Sequence, residues 1–157
     1  MTNATSPLAH AQVSLFLNSF NSIPAETLTL IQALERIRSG TYEVQVQTLR
    51  QVLAREGKRS YDRTKAHLPA VTFGGVFLPT RGNAHLQQHS GIVHGDLDHL
   101  SDVSAVKQAI CADPRMVYAF ISPSEWGLKL GVHVPIVADD TVYKHAWQTV
   151  STVYEAQ

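Results

Sequence analysis

The sequence predicts a mixed α/β (α+β) fold, and three observations predict it. Apolar residues alternate along "LKLGVHVPIV" (128–137), the period of a half-buried strand. Leu30, Ile31, Leu34 and Ile37 instead keep helical spacing. The second half reads β-α-β-β-α, the order of a split βαβ unit that stops before its last strand. At 157 residues with 44% hydrophobic and 17% charged content, the chain suits one domain with a real core. We read residues 1–157 as that domain, with an N-terminal αβ unit over 1–89 and a split βαβ half, C-terminally incomplete, over 90–157.

In chain order, "AQVSLFLNSF" reads as a strand closed by the turn-forming "NSIP". The helix carrying Leu30 to Ile37 is expected to bury all four of its apolar residues and to stop at Ser39-Gly40. Val46, Leu49, Val52 and Leu53 predict a second helix ending at Gly57, and "SYDRTKAH" a short third one that Pro69 ends. "AVTFGGVFL" reads as a strand interrupted by Gly74-Gly75, and "PTRGNAHLQQHS" as a polar loop. In the second half, residues 91–98 form a strand. Ser101 or Asp102 caps a helix carrying Val103, Val106 and Ile110, which Asp113-Pro114 ends. "MVYAFI" is the next strand, and the alternating stretch from Leu128 follows it. A last helix is expected from about Asp140, with Val142, Ala146, Thr149, Val150 and Val153 on its inner side.

Cys111 is the single cysteine, which excludes a disulfide framework and a CxxC metal site and suits a reducing cytoplasm. The longest apolar run near the N-terminus, Val13–Leu17, is too short to span a membrane, so no membrane partner is expected. Net charge is zero but unevenly placed. Residues 50–65 hold Arg50, Arg55, Lys58, Arg59, Arg63 and Lys65 against Glu56 and Asp62, whereas residues 90–157 hold four Lys/Arg against eight Asp/Glu. A basic segment of this kind suits a phosphate-bearing partner, and a solvated mixed-charge helix is its plainer reading.

The stretch "GIVHGDLDHL" (91–100) asks for a chemical explanation. On a strand, His94, Asp96 and Asp98 point to one face and Val93, Gly95 and Leu97 to the other. Two carboxylates on one face repel unless a cation or a proton lies between them. Hard divalent cations prefer such carboxylate oxygens, although an Asp-x-Asp at a strand end also serves as a turn or a helix cap.

"LPAVTFGGVF", "HSGIVHGDLDHL" and "DPRMVYAFISPSEWGLKLGV", in this order and spacing, resemble the VirE-type N-terminal domains of bacterial mobile-element and phage proteins. Those domains in turn resemble the catalytic module of the primase–polymerase superfamily. The resemblance implies a primase–polymerase-like fold with an RRM-like second half, and metal-dependent nucleotidyl transfer in DNA replication. It implies Asp96 and Asp98 as catalytic ligands of Mg²⁺ or Mn²⁺, with a nucleoside triphosphate and a DNA or RNA template as partners. Ser122-Pro123-Ser124 through Gly127, Leu128 and Lys129 stands for the family's phosphate motif. Ser124 and Lys129 would then contact the triphosphate, with His133 and Arg81 nearby. Glu125 occupies the position where that motif carries glycine. The basic residues Arg55, Lys58, Arg59 and Arg63 are the expected nucleic-acid contacts, and a helicase-like region or a further chain is an expected partner. A third acidic residue is expected on a strand beyond the last helix, so the active site over these residues reads as incomplete. Two other readings stand beside this one: a module of the same fold that binds nucleic acid or nucleotide without turnover, and a metallohydrolase, from the superficial likeness of "HSGIVHGDLDH" to a His-x-His-x-Asp-His zinc motif.

Overall fold

The computed structural model describes residues 7–135, 144–149 and 152. The chain divides into two compact units, Met1–Ser90 and Gly91–Gln157. Among the described residues the fold is mixed α+β, with three small antiparallel sheets.

In the first unit, β1 (Gln12–Phe16) lies between β2 (Glu26–Thr29) and β3 (Ala70–Thr72), antiparallel to both. Val13 and Phe16 are fully buried. Ser14 is buried as well, and its hydroxyl accepts the Phe77 amide at 3.0 Å, so its burial leaves no polar group unmet. β2 departs from the turn-then-helix expectation. "ETLT" carries only one apolar residue, and its pairing with β1 makes it a strand.

Helix α1 (Leu30–Arg38) begins at Thr29 in a capping box: Gln32 N–H donates to the Thr29 hydroxyl, and the Thr29 N–H donates to the Gln32 side chain. It buries Leu30 and Ala33, while Ile31 is exposed, contrary to expectation. The buried side follows Leu30, Ala33, Leu34 and Ile37, and Ile31 lies about 100° round the helix from Leu30. Helices α2 (Glu43–Glu56) and α3 (Lys58–Lys65) meet at Gly57, whose φ of 81° a side chain would resist. β4 (Gly75–Phe77) and β5 (Leu86–His89) form a separate ribbon. β5 lies in the stretch expected to be a loop, because "LQQH" is mostly exposed and has no apolar alternation to reveal it.

In the second unit, β6 (Ile92–Leu97) leads through α4 (Val103–Ile110) to β7 (Met116–Ile121), and β8 (Leu128–His133) returns between them. β8 is antiparallel to both neighbours, which makes β6 and β7 parallel. Asp102 caps α4, its carboxylate accepting the Ala105 amide at 2.8 Å. One sheet face packs its residues Val93, Leu97, Leu128, Leu130 and Val132 against Ile110, with Val103, Val106 and Ala146 at the margin. Burial follows the alternation read along β8 except at Gly131, which is buried as well. The expected last helix is helical at 144–149 and 152, and its expected positions Asp140, Val142, Val150 and Val153 lie outside the described residues. No described helix is long and apolar enough to cross a membrane.

Candidate functional site

Strand pairing explains why the acidic strand meets a lysine. β6 and β8 pair with Asp96 directly opposite Lys129, both on the face away from α4. Lys129 Nζ donates to Asp96 Oδ1 at 2.6 Å, and His94 Nε2 lies 3.3 Å from the same oxygen. Beyond His94, Tyr118 on β7 continues the chain of contacts, with its hydroxyl 2.8 Å from His94 Nδ1. With Nε2–H toward Asp96, His94 Nδ1 accepts a hydrogen bond from the Tyr118 hydroxyl. Partial burial opposes ionisation of Asp96. The hydrogen bonds from His94 and Lys129, and the charge of Lys129, outweigh that cost and hold its carboxyl well below the usual carboxylate range.

Two backbone features make this network possible. A bulge between Met116 and Tyr118 shifts β7 so that Tyr118 lies opposite Gly131. A Cβ on Gly131 would stand 2.1 Å from the Tyr118 ring, so the glycine is the seat on which that ring crosses β8. Phe120 stacks beside Tyr118, with ring centroids 5.9 Å apart. Neither Tyr118 nor Gly131 stood among the sequence candidates. A glycine in the middle of an otherwise apolar strand was the available signal.

Asp98 lies just past the end of β6, and the loop after β7 closes against it. A Cβ on Gly127 would come within 2.3 Å of the Leu97 carbonyl oxygen and 3.0 Å of Asp98 Oδ1, so only glycine lets the two segments approach so closely. Leu100 N–H donates to the Trp126 carbonyl at 2.9 Å, and Ser122 N–H to the Gly127 carbonyl at 2.9 Å. Ser124 is joined to the buried Ser122 by a 2.9 Å hydroxyl contact. Glu125 has φ 66°, the left-handed region that favours glycine. The position where the resembled motif carries glycine is therefore one whose backbone wants glycine.

The other expected site residues lie elsewhere. His133 shares the Lys129 side of β8 but pairs opposite Ile92, four residues along and so about 13 Å away. Arg81 belongs to the first unit, where its guanidinium covers the Phe16 ring at 5.2 Å and donates to the Ser19 carbonyl at 2.7 Å. Arg55, Lys58, Arg59 and Arg63 are exposed at the end of α2 and along α3. Lys58 pairs with Asp62, whereas Arg55, Arg59 and Arg63 have no carboxylate partner among the described residues.

Asp96 and Asp98 supply the oxygen donors that Mg²⁺ or Mn²⁺ prefers. In this arrangement a cation would have to compete for Asp96 with partners already in place. Asp96 Oδ1 already holds an ammonium group and an imidazole, and among the described residues no three His, Cys, Asp or Glu side chains gather as a metal site. As it stands, the acidic strand end carries an internal ion pair.

Two outcomes follow from this geometry. The carboxyl of Asp96 is depressed on folding, so the stability it contributes is complete above the unfolded value near pH 4 and is lost as pH falls below that. Asp96→Asn should cost about 0.5–1 kcal/mol at neutral pH, a size set by a half-exposed pair, and should flatten the acid limb of a denaturation-against-pH curve; an unaltered acid limb would contradict the network. Glu125→Gly relieves the left-handed backbone and should stabilise the domain by about 0.5–1 kcal/mol. A lowered midpoint in thermal unfolding would show that the Glu125 side chain contributes more than its backbone costs.

The profile of the family described as BT4734-like, N-terminal domain matches residues 63–157, a span that takes in the acidic strand, the 122–127 loop and Lys129. No curated protein and no solved structure matches the chain. With more than half of its length matched, the chain belongs to the BT4734-like N-terminal domain family.

Proposed function

We propose that this domain is a nucleic-acid- and nucleotide-handling module of the primase–polymerase type, and that within residues 1–157 it binds rather than turns over. The observation that carries the binding reading is the set of cations on α2 and α3. Arg55, Arg59 and Arg63 are exposed and unpaired with any described carboxylate, while Arg36 and Arg38 on α1 are each spent on a glutamate. An exposed guanidinium without an internal partner is available for phosphate, to which it donates two parallel hydrogen bonds.

The type of module rests on the resemblance together with the strand order β6-β8-β7, which a split βαβ half of the RRM-like kind would have. The preference for binding over nucleotidyl transfer rests on Asp96, whose carboxylate is paired with the Lys129 ammonium and hydrogen-bonded by His94. In this reading Ser124 and Lys129 belong to a nucleotide-phosphate site, with Lys129 exchanging its carboxylate partner for phosphate.

Binding of a labelled single-stranded oligonucleotide should weaken as salt rises, because phosphate contacts release counterions. Replacing Arg55, Arg59 and Arg63 together by Gln should lower the slope of log affinity against log salt by about 2, from roughly 0.7 per phosphate contact. A slope that ignores all three would move the interface off α2 and α3. The catalytic alternative is separated by turnover: Mn²⁺-dependent primer extension by residues 1–157, abolished by Asp96→Ala, would overturn the preference for binding.

A further inference from the structure

The first unit holds a loop that the fold ties down firmly and yet uses to expose apolar side chains. Residues 17–25 connect β1 to β2. Asn18 Oδ1 accepts the Phe20 and Asn21 amides at 2.9 and 3.1 Å. The Ser19 amide and hydroxyl both donate to the Ala66 carbonyl, at 3.0 and 2.9 Å. Arg81 binds the loop from its other side, its side chain donating to the Ser19 carbonyl and its amide to the Ser22 carbonyl, each at 2.7 Å. Despite these anchors, Phe20 is 67% exposed, and Leu17 and Ile23 are 65% and 68% exposed. Scattered surface apolar residues are ordinary, but three within seven residues on an anchored loop concentrate exposed apolar surface in one short segment.

The surroundings say what kind of partner. Ala66 and His67 directly follow α3, so the loop sits at the end of the helix that presents Arg59, Arg63 and Lys65. The Phe20 ring packs edge-on against His67, with centroids 5.3 Å apart at 63°. Arg59 and Arg63 stand one helical turn apart, about 6 Å, on the exposed side of α3, and the exposed acid on that helix, Asp62, is taken by Lys58. A row of cations that ends in an exposed aromatic ring complements a ligand carrying phosphates and flat apolar faces together. Unpaired nucleobases have such faces available, whereas a duplex keeps them stacked inside.

We infer that Phe20, braced by His67, is a base-stacking residue for single-stranded nucleic acid whose phosphates lie along α3. The inference rests on the proposed nucleic-acid reading, and it names the ligand as single-stranded and the residue that selects it. A neutral stacking contact and a charge contact leave different signatures: stacking changes affinity and leaves the salt slope alone.

The test is fluorescence anisotropy of the full chain with labelled oligothymidylate and with a hairpin duplex of equal length. The single strand should bind more tightly than the duplex. Phe20→Ala should weaken single-strand binding about 5- to 100-fold, the range for one stacked base, with an unaltered salt slope, and Phe20→Trp should restore it. Because Phe20 is exposed, circular dichroism of the alanine variant should match that of the parent. Equal affinity for duplex, or single-strand affinity that ignores Phe20→Ala, overturns the inference. So does Phe20-dependent binding to phosphatidylserine vesicles with oligothymidylate binding unaffected, which would assign the loop to a lipid surface. Failure of the two readings is distinguishable. A salt slope indifferent to Arg55, Arg59 and Arg63 sinks the α3 interface, whereas the expected slope with a silent Phe20 sinks only the stacking contact. Absence of oligonucleotide binding sinks both.

Discussion

The register between β6 and β8 is the constraint on which the second unit depends. Setting Asp96 opposite Lys129 also sets Val93 opposite Val132 and Leu97 opposite Leu128, so one alignment serves both faces of the sheet. Because side chains alternate, a slip of one residue would turn Leu128, Leu130 and Val132 out of the core and Lys129 into it. The apolar side supplies the driving force, since five sheet residues gain burial against α4 together. The ion pair adds little of that energy at its half-exposed position, but it penalises the wrong alignment.

The same register makes room for a polar row on the second face. Gly131 lies where the Tyr118 ring must cross β8, and without that space the hydroxyl would not reach His94. Tyr118, His94, Asp96 and Lys129 then form one connected set running across the three strands β7, β8 and β6. Such a set is stiffer than its separate contacts, because each partner orients the next. It also decides the chemistry: a carboxylate that already has two nitrogen partners is a poorer ligand than two adjacent aspartates suggest on paper.

Electrostatically the two units differ more than the zero net charge implies. In the first, the cations of α1 are paired and those of α3 mostly are not, so positive charge is concentrated rather than spread. In the second, acidic residues prevail, yet its most prominent carboxylate is internally compensated and another, Asp102, is spent on a helix cap. Counting charges along the chain locates the segments, and pairing determines which charges remain available to a ligand.

Several elements were legible because a local rule dictated them. Alternation over 128–133, helical spacing over 103–110 with its Asp102 cap, and the glycine stop at Gly57 each depend on residues within a few positions of one another. The acidic pair and the loop ahead of Lys129 could likewise be found by reading. What reading could not supply was anything set by a distant partner. β2 and β5 are strands because β1 and β4 pair with them, and their own polar sequences do not announce it. Ile31 carries the right residue type for a core yet faces water, since the packing direction of α1 is chosen by its neighbours. The bulge at β7, the Tyr118 ring over Gly131 and the capture of Asp96 by Lys129 arise the same way. The sequence by itself determined which residues were chemically capable at the acidic strand end. Tertiary structure decided that one of those carboxylates would be occupied by a lysine 33 residues away, because cross-strand neighbours are set by pairing and not by proximity along the chain.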